Sequence, residues 1–179
     1  MDTPQLRLAT VADEAAISAL MKSSIRHIFP RFYDARQTDS SVQHVGEADR
    51  MLIEDDTYFV AEADGGLVAC GGWSRRDKLY TGSGDANGDV RLLDPATEPA
   101  RVRAMFVRSD WTRRGLGRQI LEACEAAAKS EGFQTLSLMA TLPGVPLYEN
   151  YGFQELGRSD LMMPDGVTIT CAAMEKLIA

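Results

Sequence analysis

Between Val107 and Arg118 the chain reads Val-Arg-Ser-Asp-Trp-Thr-Arg-Arg-Gly-Leu-Gly-Arg. An alternating apolar run, Val102 to Val107, precedes this stretch, and a strongly helical one, Leu116 to Glu131, follows it. A strand, a short turn with two spaced glycines and a helix start together aim backbone N–H groups at a phosphate. Gly115 and Gly117 have no Cβ, so a ligand can approach the main chain closely. Arg113, Arg114 and Arg118 put positive charge at a helix N-terminus, where the helix dipole disfavours it unless an anion is bound. The chemistry that suits this stretch is capture of a pyrophosphate-bearing ligand.

Charge elsewhere sharpens that reading. Six arginines and one acid fall between Arg101 and Arg118, in a chain of net charge −7. The contrast marks a local anion site in an acidic protein. It excludes general nucleic-acid binding, which needs a basic surface. The overall acidity also suits a cationic second substrate such as an amine. Cys70, Cys124 and Cys171 sit apart in apolar segments and read as reduced core residues. His27 and His44 lack ligand spacing, so no metal site is expected. Asp85-Ala86-Asn87-Gly88-Asp89 fails as a calcium loop: its glycine comes too early and Ala96 stands where a bidentate glutamate is needed. Gly82-Ser83-Gly84 is followed by no helix and is not a dinucleotide fingerprint. No apolar run is long enough to cross a membrane, and Met1 to Gln5 lacks the character of a signal peptide. These features predict a cytoplasmic protein with no membrane partner.

The elements that must position the loop follow from periodicity. Leu6 to Ala9 reads as a strand. Thr10 caps a helix, with Asp13 as capping-box partner and Ile17, Leu20, Met21, Ser24 and Ile28 on one face. Residues 29–40 read as a loop and Ser41 to Glu54 as a helix. Tyr58–Ala63 and Leu67–Trp73 read as strands around an Asp64-Gly65-Gly66 turn. Residues 74–99 read as an irregular excursion, and Arg101–Val107 as a strand. The helix from Leu116 buries Leu116, Ile120, Leu121, Cys124, Ala127 and Ala128 and ends at Gly132. Thr135–Met139 is a strand and Pro146–Tyr151 a short helix. Gln154–Gly157 and Val167–Glu175 close the chain around Pro164-Asp165-Gly166. The element order describes one α/β domain over residues 1–179, a mixed sheet with helices on its faces.

This pattern resembles the GNAT superfamily of acyl-CoA-dependent N-acetyltransferases, in element order along nearly the whole chain and in motif detail over residues 101–158. The family's pyrophosphate loop, Arg/Gln-x-x-Gly-x-Gly/Ala, matches Thr112-Arg113-Arg114-Gly115-Leu116-Gly117, with Thr112 replacing the first residue. Tyr148-Glu149-Asn150-Tyr151-Gly152-Phe153 looks like the family's Tyr-x-x-x-Gly-Phe. Thr141 stands where the family often has the pantetheine-contacting Asn. The resemblance implies a mostly antiparallel sheet with a splay between two parallel strands, those ending at Val107 and Met139. It implies acetyl-CoA as cosubstrate, with the pantetheine arm bonded to the main chain of Met105, Phe106 and Val107. It also implies that backbone N–H groups of the loop and helix start, as far as Leu116 and Gly117, hold the pyrophosphate, with the charge supplied by Arg113, Arg114 or Arg118. The resemblance also allows a homodimer.

Acyl transfer to an amine needs the neutral amine. An amine of pKa about 10.4 is neutral in only about one molecule in a few thousand at pH 7. A base, or water, must take its proton. Glu62, Glu54, His27, Tyr80 and a water chain all remain candidates. The thioester carbonyl needs a donor, and the resemblance implies the main-chain N–H near Phe106 or Val107. Tyr148 is the expected acid toward the leaving thiolate. Direct attack in a ternary complex is expected, without a cysteine intermediate. Phe29, Phe32 and Tyr33 either line an acceptor pocket or anchor their loop. The competing readings are a non-catalytic acyl-CoA sensor, which would release no CoA, and an interaction domain that has lost the cofactor. The acceptor stays open among small amines, amino acids, antibiotics, polyamines and protein N-termini.

Overall fold

The computed structural model of the chain describes residues 2–78 and 90–179. Tyr80, the Gly82-Ser83-Gly84 stretch and Asp85 to Asp89 lie outside the described residues. Seven strands form one sheet: β1 (Gln5–Leu8), β2 (Tyr58–Ala63), β3 (Gly66–Ser74), β4 (Ala100–Val107), β5 (Thr135–Thr141), β6 (Gln154–Met162) and β7 (Thr168–Leu177). Their order is β1-β2-β3-β4-β5-β7-β6, and only β4 and β5 run parallel. The helices are α1 (Glu14–Ile28), α2 (Ala35–His44), α3 (Arg50–Glu54), α4 (Leu116–Ser130) and α5 (Val145–Tyr151). This is the mixed, mostly antiparallel sheet that the element order and the resemblance imply.

Strand alternation sorts the core into two layers. Tyr58, Val60 and Cys70 pack with Ile17, Leu20, Met21 and Leu52 of α1 and α3. Ala61, Ala63 and Ala69 point the other way, onto Ile120, Leu121, Cys124 and Ala128 of α4. Helices therefore cover both faces. Asp64 and Gly65, both at positive φ (51° and 76°), make the tight β2–β3 turn. Gly132 (φ 93°) ends α4 in the left-handed conformation expected of it. All three cysteines are free and buried. No helix among the described residues is long and apolar enough to cross a membrane.

One stretch departs from the sequence expectation. Residues 29–40 are a short 3-10 turn followed by the start of α2, and the expected helix over 41–54 is two helices. Asp34 accepts from the Gln37 N–H (2.8 Å) while its own N–H donates to Gln37 Oε1 (2.9 Å). This capping box starts a helix whose polar sequence hides its one buried face, Thr38 and Ser41. After His44 the chain breaks at Gly46, where a Cβ would lie 2.8 Å from Lys22 Cγ, and it resumes at Arg50. β6 also runs on to Met162, held by β7 rather than by any apolar face of its own.

Candidate active site

β4 and β5 are hydrogen-bonded neighbours only at their starts, Ala100 with Leu136 and Arg101 with Ser137. Beyond that, β4 stays on β3 as far as Val107, and β5 stays on β7 as far as Thr141. The two parallel strands diverge and leave a gap. A bulge in β4 helps to open it. Cys70 pairs with Phe106 and Gly72 with Arg103, so Gly71 faces both Ala104 and Met105. Ala104 sits at φ 58°, a left-handed conformation that costs an alanine about 1 kcal/mol or more. The Tyr58 hydroxyl, wholly buried, donates to the Ala104 carbonyl at 2.7 Å and holds it there. Opposite the bulge Gly71 is closely packed: a Cβ there would lie 2.8 Å from Met105 Sδ and 3.0 Å from Ile120 Cγ2.

The loop after β4 turns sharply through Ser109–Trp111. Arg113 (φ 61°) and Gly115 (φ 82°) are both left-handed, and Gly115 caps α4 with no side-chain acceptor. The first N–H groups of α4 therefore lack a side-chain cap and are available to an anion. The space over Gly115 is open, whereas a Cβ on Gly117 would meet Leu147 Cδ2 at 2.7 Å. Gly115 is thus left uncovered at the start of α4, and Gly117 allows the close packing of α4 on α5.

A cleft of about 690 Å³ joins gap and loop. Met105, Phe106, Val107, Thr112, Arg113, Gly115, Leu116, Gly117, Arg118, Thr141 and Tyr148 all line it. Arg114 does not; its guanidinium lies 4.5 Å from the centre of the Trp111 ring, bracing the turn. Thr112 turns its hydroxyl back onto the Ser109 carbonyl (3.0 Å), closing the loop. Arg118 reaches Glu122 at 3.2 Å. Tyr148 is buried, yet no hydrogen bond among the described residues engages its hydroxyl. Burial pushes its phenol above the ordinary value, so it keeps its proton at neutral pH.

The candidate bases fare differently. Glu62 pairs with Arg7 (3.2 Å) at the far edge of the sheet, and Glu54 pairs with Arg50 (3.1 Å). His27 is exposed, its Nδ1 at 2.7 Å from the Ser23 carbonyl. None of these three lines the cleft, and no carboxylate or imidazole does so among the described residues. The arginine run is also less concentrated than its spacing suggests. Arg101 binds Asp77 (3.1 Å), Arg103 binds Asp49 (3.0 Å) and Arg108 binds Asp110 (2.6 Å), leaving Arg113 and Arg118 in the cleft wall. Burial pushes the Cys70 and Cys171 thiols up to about 12 and raises Cys124 as well, so none is poised as a nucleophile.

Of the three loop aromatics, Phe29 and Phe32 line the cleft. Tyr33 is an anchor: its hydroxyl donates to the Thr170 carbonyl (2.7 Å) and accepts from the Leu142 N–H (2.9 Å). Sequence reasoning missed Ser24, whose hydroxyl bonds the Val107 carbonyl (2.9 Å), and Arg31, also in the wall. Only the spacing of Ser24 on the buried face of α1 hinted at it. A second depression of about 380 Å³, at the β2–β3 turn, is lined by Asp2, Glu62 and Asp64 and by no cation, which makes it unsuited to a phosphate. Among the described residues no cluster could hold a metal ion.

The GNAT acetyltransferase domain model matches residues 54–155. The fold is similar to a GCN5-related N-acetyltransferase from Rhodopseudomonas palustris, at 17% identity over 99% of this chain and 97% of that one, TM-score 0.71. It is also similar to the PaiA N-acetyltransferase of Thermoplasma acidophilum in complex with coenzyme A, at 13% identity over 98% and 99%, TM-score 0.64. A third similar structure is YncA of Salmonella typhimurium, a putative acetyltransferase with acetyl-CoA, at 17% identity over 99% and 95%, TM-score 0.63.

Proposed function

The chain belongs to the GNAT acetyltransferase family and is an acetyl-CoA-dependent N-acetyltransferase; from that premise we propose that acetyl-CoA occupies the β4–β5 gap and that a bound primary amine attacks its thioester directly. The observation that carries this reading is the loss of β4–β5 pairing after Arg101, beside a loop whose N–H groups and Arg113 face the same cleft. The α4 N-terminus, Arg113 and Arg118 hold the pyrophosphate. Main-chain groups of Met105 to Val107 pair the pantetheine amides as an added strand would. Ser24 uses one lone pair of the Val107 carbonyl and leaves the other for an amide N–H.

In the transfer, the amine nitrogen bonds to the carbonyl carbon and the C–S bond breaks. The acceptor ammonium first gives one proton to water, since no base lines the cleft among the described residues. A second N–H proton ends on the CoA sulfur. A main-chain N–H beyond the bulge, at Phe106 or Val107, faces the developing oxyanion. Tyr148 stands toward the departing sulfur. Its raised pKa makes complete proton transfer to a thiolate uphill, so its contribution is a hydrogen bond to the charge as it develops. The three buried, free thiols suit a reducing, cytoplasmic setting.

The test is a calorimetric titration of acetyl-CoA, desulfo-CoA and adenosine 3′,5′-bisphosphate, followed by a CoA-release assay with amines. Micromolar binding of the first two and amine-dependent release are expected. No binding by any of the three would end this reading.

A further inference from the structure

We infer that the acceptor is a small amine that also carries an oxyanion, and that Arg31 binds that group; this inference rests on the cofactor placement proposed above. The cleft wall contains three guanidiniums, from Arg31, Arg113 and Arg118, and no carboxylate among the described residues. Two of the three belong to the loop and helix start that hold the phosphates. Arg31 comes from a different element, the turn at the end of α1. With cofactor phosphates on Arg113 and Arg118, Arg31 is the cation that remains among the described residues of the cleft wall.

Arg31 is available for this role. It makes no ion pair or hydrogen bond among the described residues. The nearest acid in the chain, Asp34, is engaged in capping α2 at 2.8 Å. The turn that presents Arg31 is also pinned. Pro30 lies within it, and the N–H groups of Phe32 and Tyr33 both donate to the Phe29 carbonyl (2.8 and 2.9 Å). Tyr33 fastens its far end to β7 and to the residue after β5. The turn fixes the backbone at Arg31, and the planar fork of the guanidinium suits a two-pronged contact with an oxyanion. Next to it Phe32, 46% exposed, and Ile28 offer an apolar surface for the body of the acceptor. The acidic composition of the chain suggests a cationic acceptor, but the charge that matters is the wall of the cleft, and that wall is basic. Among the described residues a polyamine would find no carboxylate there to pair with.

The experiment measures CoA release with the twenty common L-amino acids, the carboxamide of each, and spermidine, for the native chain, Arg31→Gln and Arg31→Lys. Acetyl-CoA binding is followed in parallel by calorimetry. For the best acceptor the carboxylate form should exceed its carboxamide at least tenfold in kcat/KM. Arg31→Gln should bring that ratio within threefold of one while leaving acetyl-CoA affinity unchanged, and Arg31→Lys should keep part of the preference. The inference is overturned by a preference for spermidine or the carboxamides, by no turnover of any carboxylate, or by an unchanged ratio in Arg31→Gln. A tenfold loss of acetyl-CoA affinity in Arg31→Gln would assign the residue to the cofactor and also overturn it. Absence of acetyl-CoA binding in the native chain is a different failure, that of the cofactor placement itself.

Discussion

The two halves of β4 obey opposite rules. Its first half is closed: Ala100 and Arg101 pair with β5, and the Arg103 guanidinium, 2% exposed, meets the Asp49 carboxylate, 5% exposed, at 3.0 Å. Arg103 also donates to the Lys78 carbonyl at 2.6 Å. Its second half, from Met105, faces a cleft, and the cations beyond it at Arg113 and Arg118 are in the cleft wall. The boundary is Ala104, whose strained φ of 58° is held by the Tyr58 hydroxyl. The difference teaches where charge does structural work and where it is kept for a ligand. In the first half buried charge is matched within the protein. In the second, β4 has lost its β5 partner, and Arg113 lines the cleft with no carboxylate beside it among the described lining residues.

The largest effect should come from breaking the closed half. Asp49→Ala leaves a buried guanidinium unpaired and should cost about 3–5 kcal/mol in denaturant unfolding. Burial already pulls the Arg103 pKa down, with Asp49 opposing that pull. Adding Arg103→Met to Asp49→Ala should recover most of the loss, since it removes the orphaned charge. Next is the open half. Tyr148→Phe should lower kcat about a hundredfold and leave the calorimetric affinity for acetyl-CoA unchanged. At the boundary, Tyr58→Phe strips the Ala104 carbonyl of its buried donor and should cost about 1–3 kcal/mol of stability. It should also lower kcat more than it raises KM, because the bulge sets the main-chain N–H groups. Arg113→Asn keeps a residue that tolerates positive φ but removes a charge, and should weaken acetyl-CoA binding about tenfold. The smallest effect is a matter of pH. A phenol donates only below its pKa, and burial raises that pKa; activity lost through Tyr148 ionisation should therefore appear only above pH 10. Below the acceptor's own pKa, kcat/KM should rise tenfold per pH unit. A plateau near pH 6–7 would reveal an enzyme base that is not among the described residues of the cleft wall.

Much of this was legible in the chain, and the rest was hidden for physical reasons. The loop from Arg113 to Gly117 was legible as a tight turn into a helix because spaced glycines stand between a strand pattern and a helical one. The α4 face was legible because a period of 3.6 survives without any tertiary information. The bulge was invisible: Ala104 lies in an ordinary alternating strand, and no glycine marks its positive φ. What holds it, Tyr58, is 46 residues away in sequence. Start of α2 at Ala35 was hidden behind a polar sequence and shown only by the Asp34–Gln37 capping box. The arginine run misled by proximity, since spacing shows charges but not the carboxylates that fold onto them. Asp49 and Asp77 reach Arg103 and Arg101 from outside the run.

The most direct measurement is amide hydrogen exchange with and without desulfo-CoA, read at single-residue resolution along β4 and the α4 start. The account predicts new protection from Met105 to Val107 and from Arg113 to Arg118, with Ala100 to Arg103 unchanged. Protection confined to the acidic depression around Glu62 and Asp64, or equal along all of β4, would contradict it.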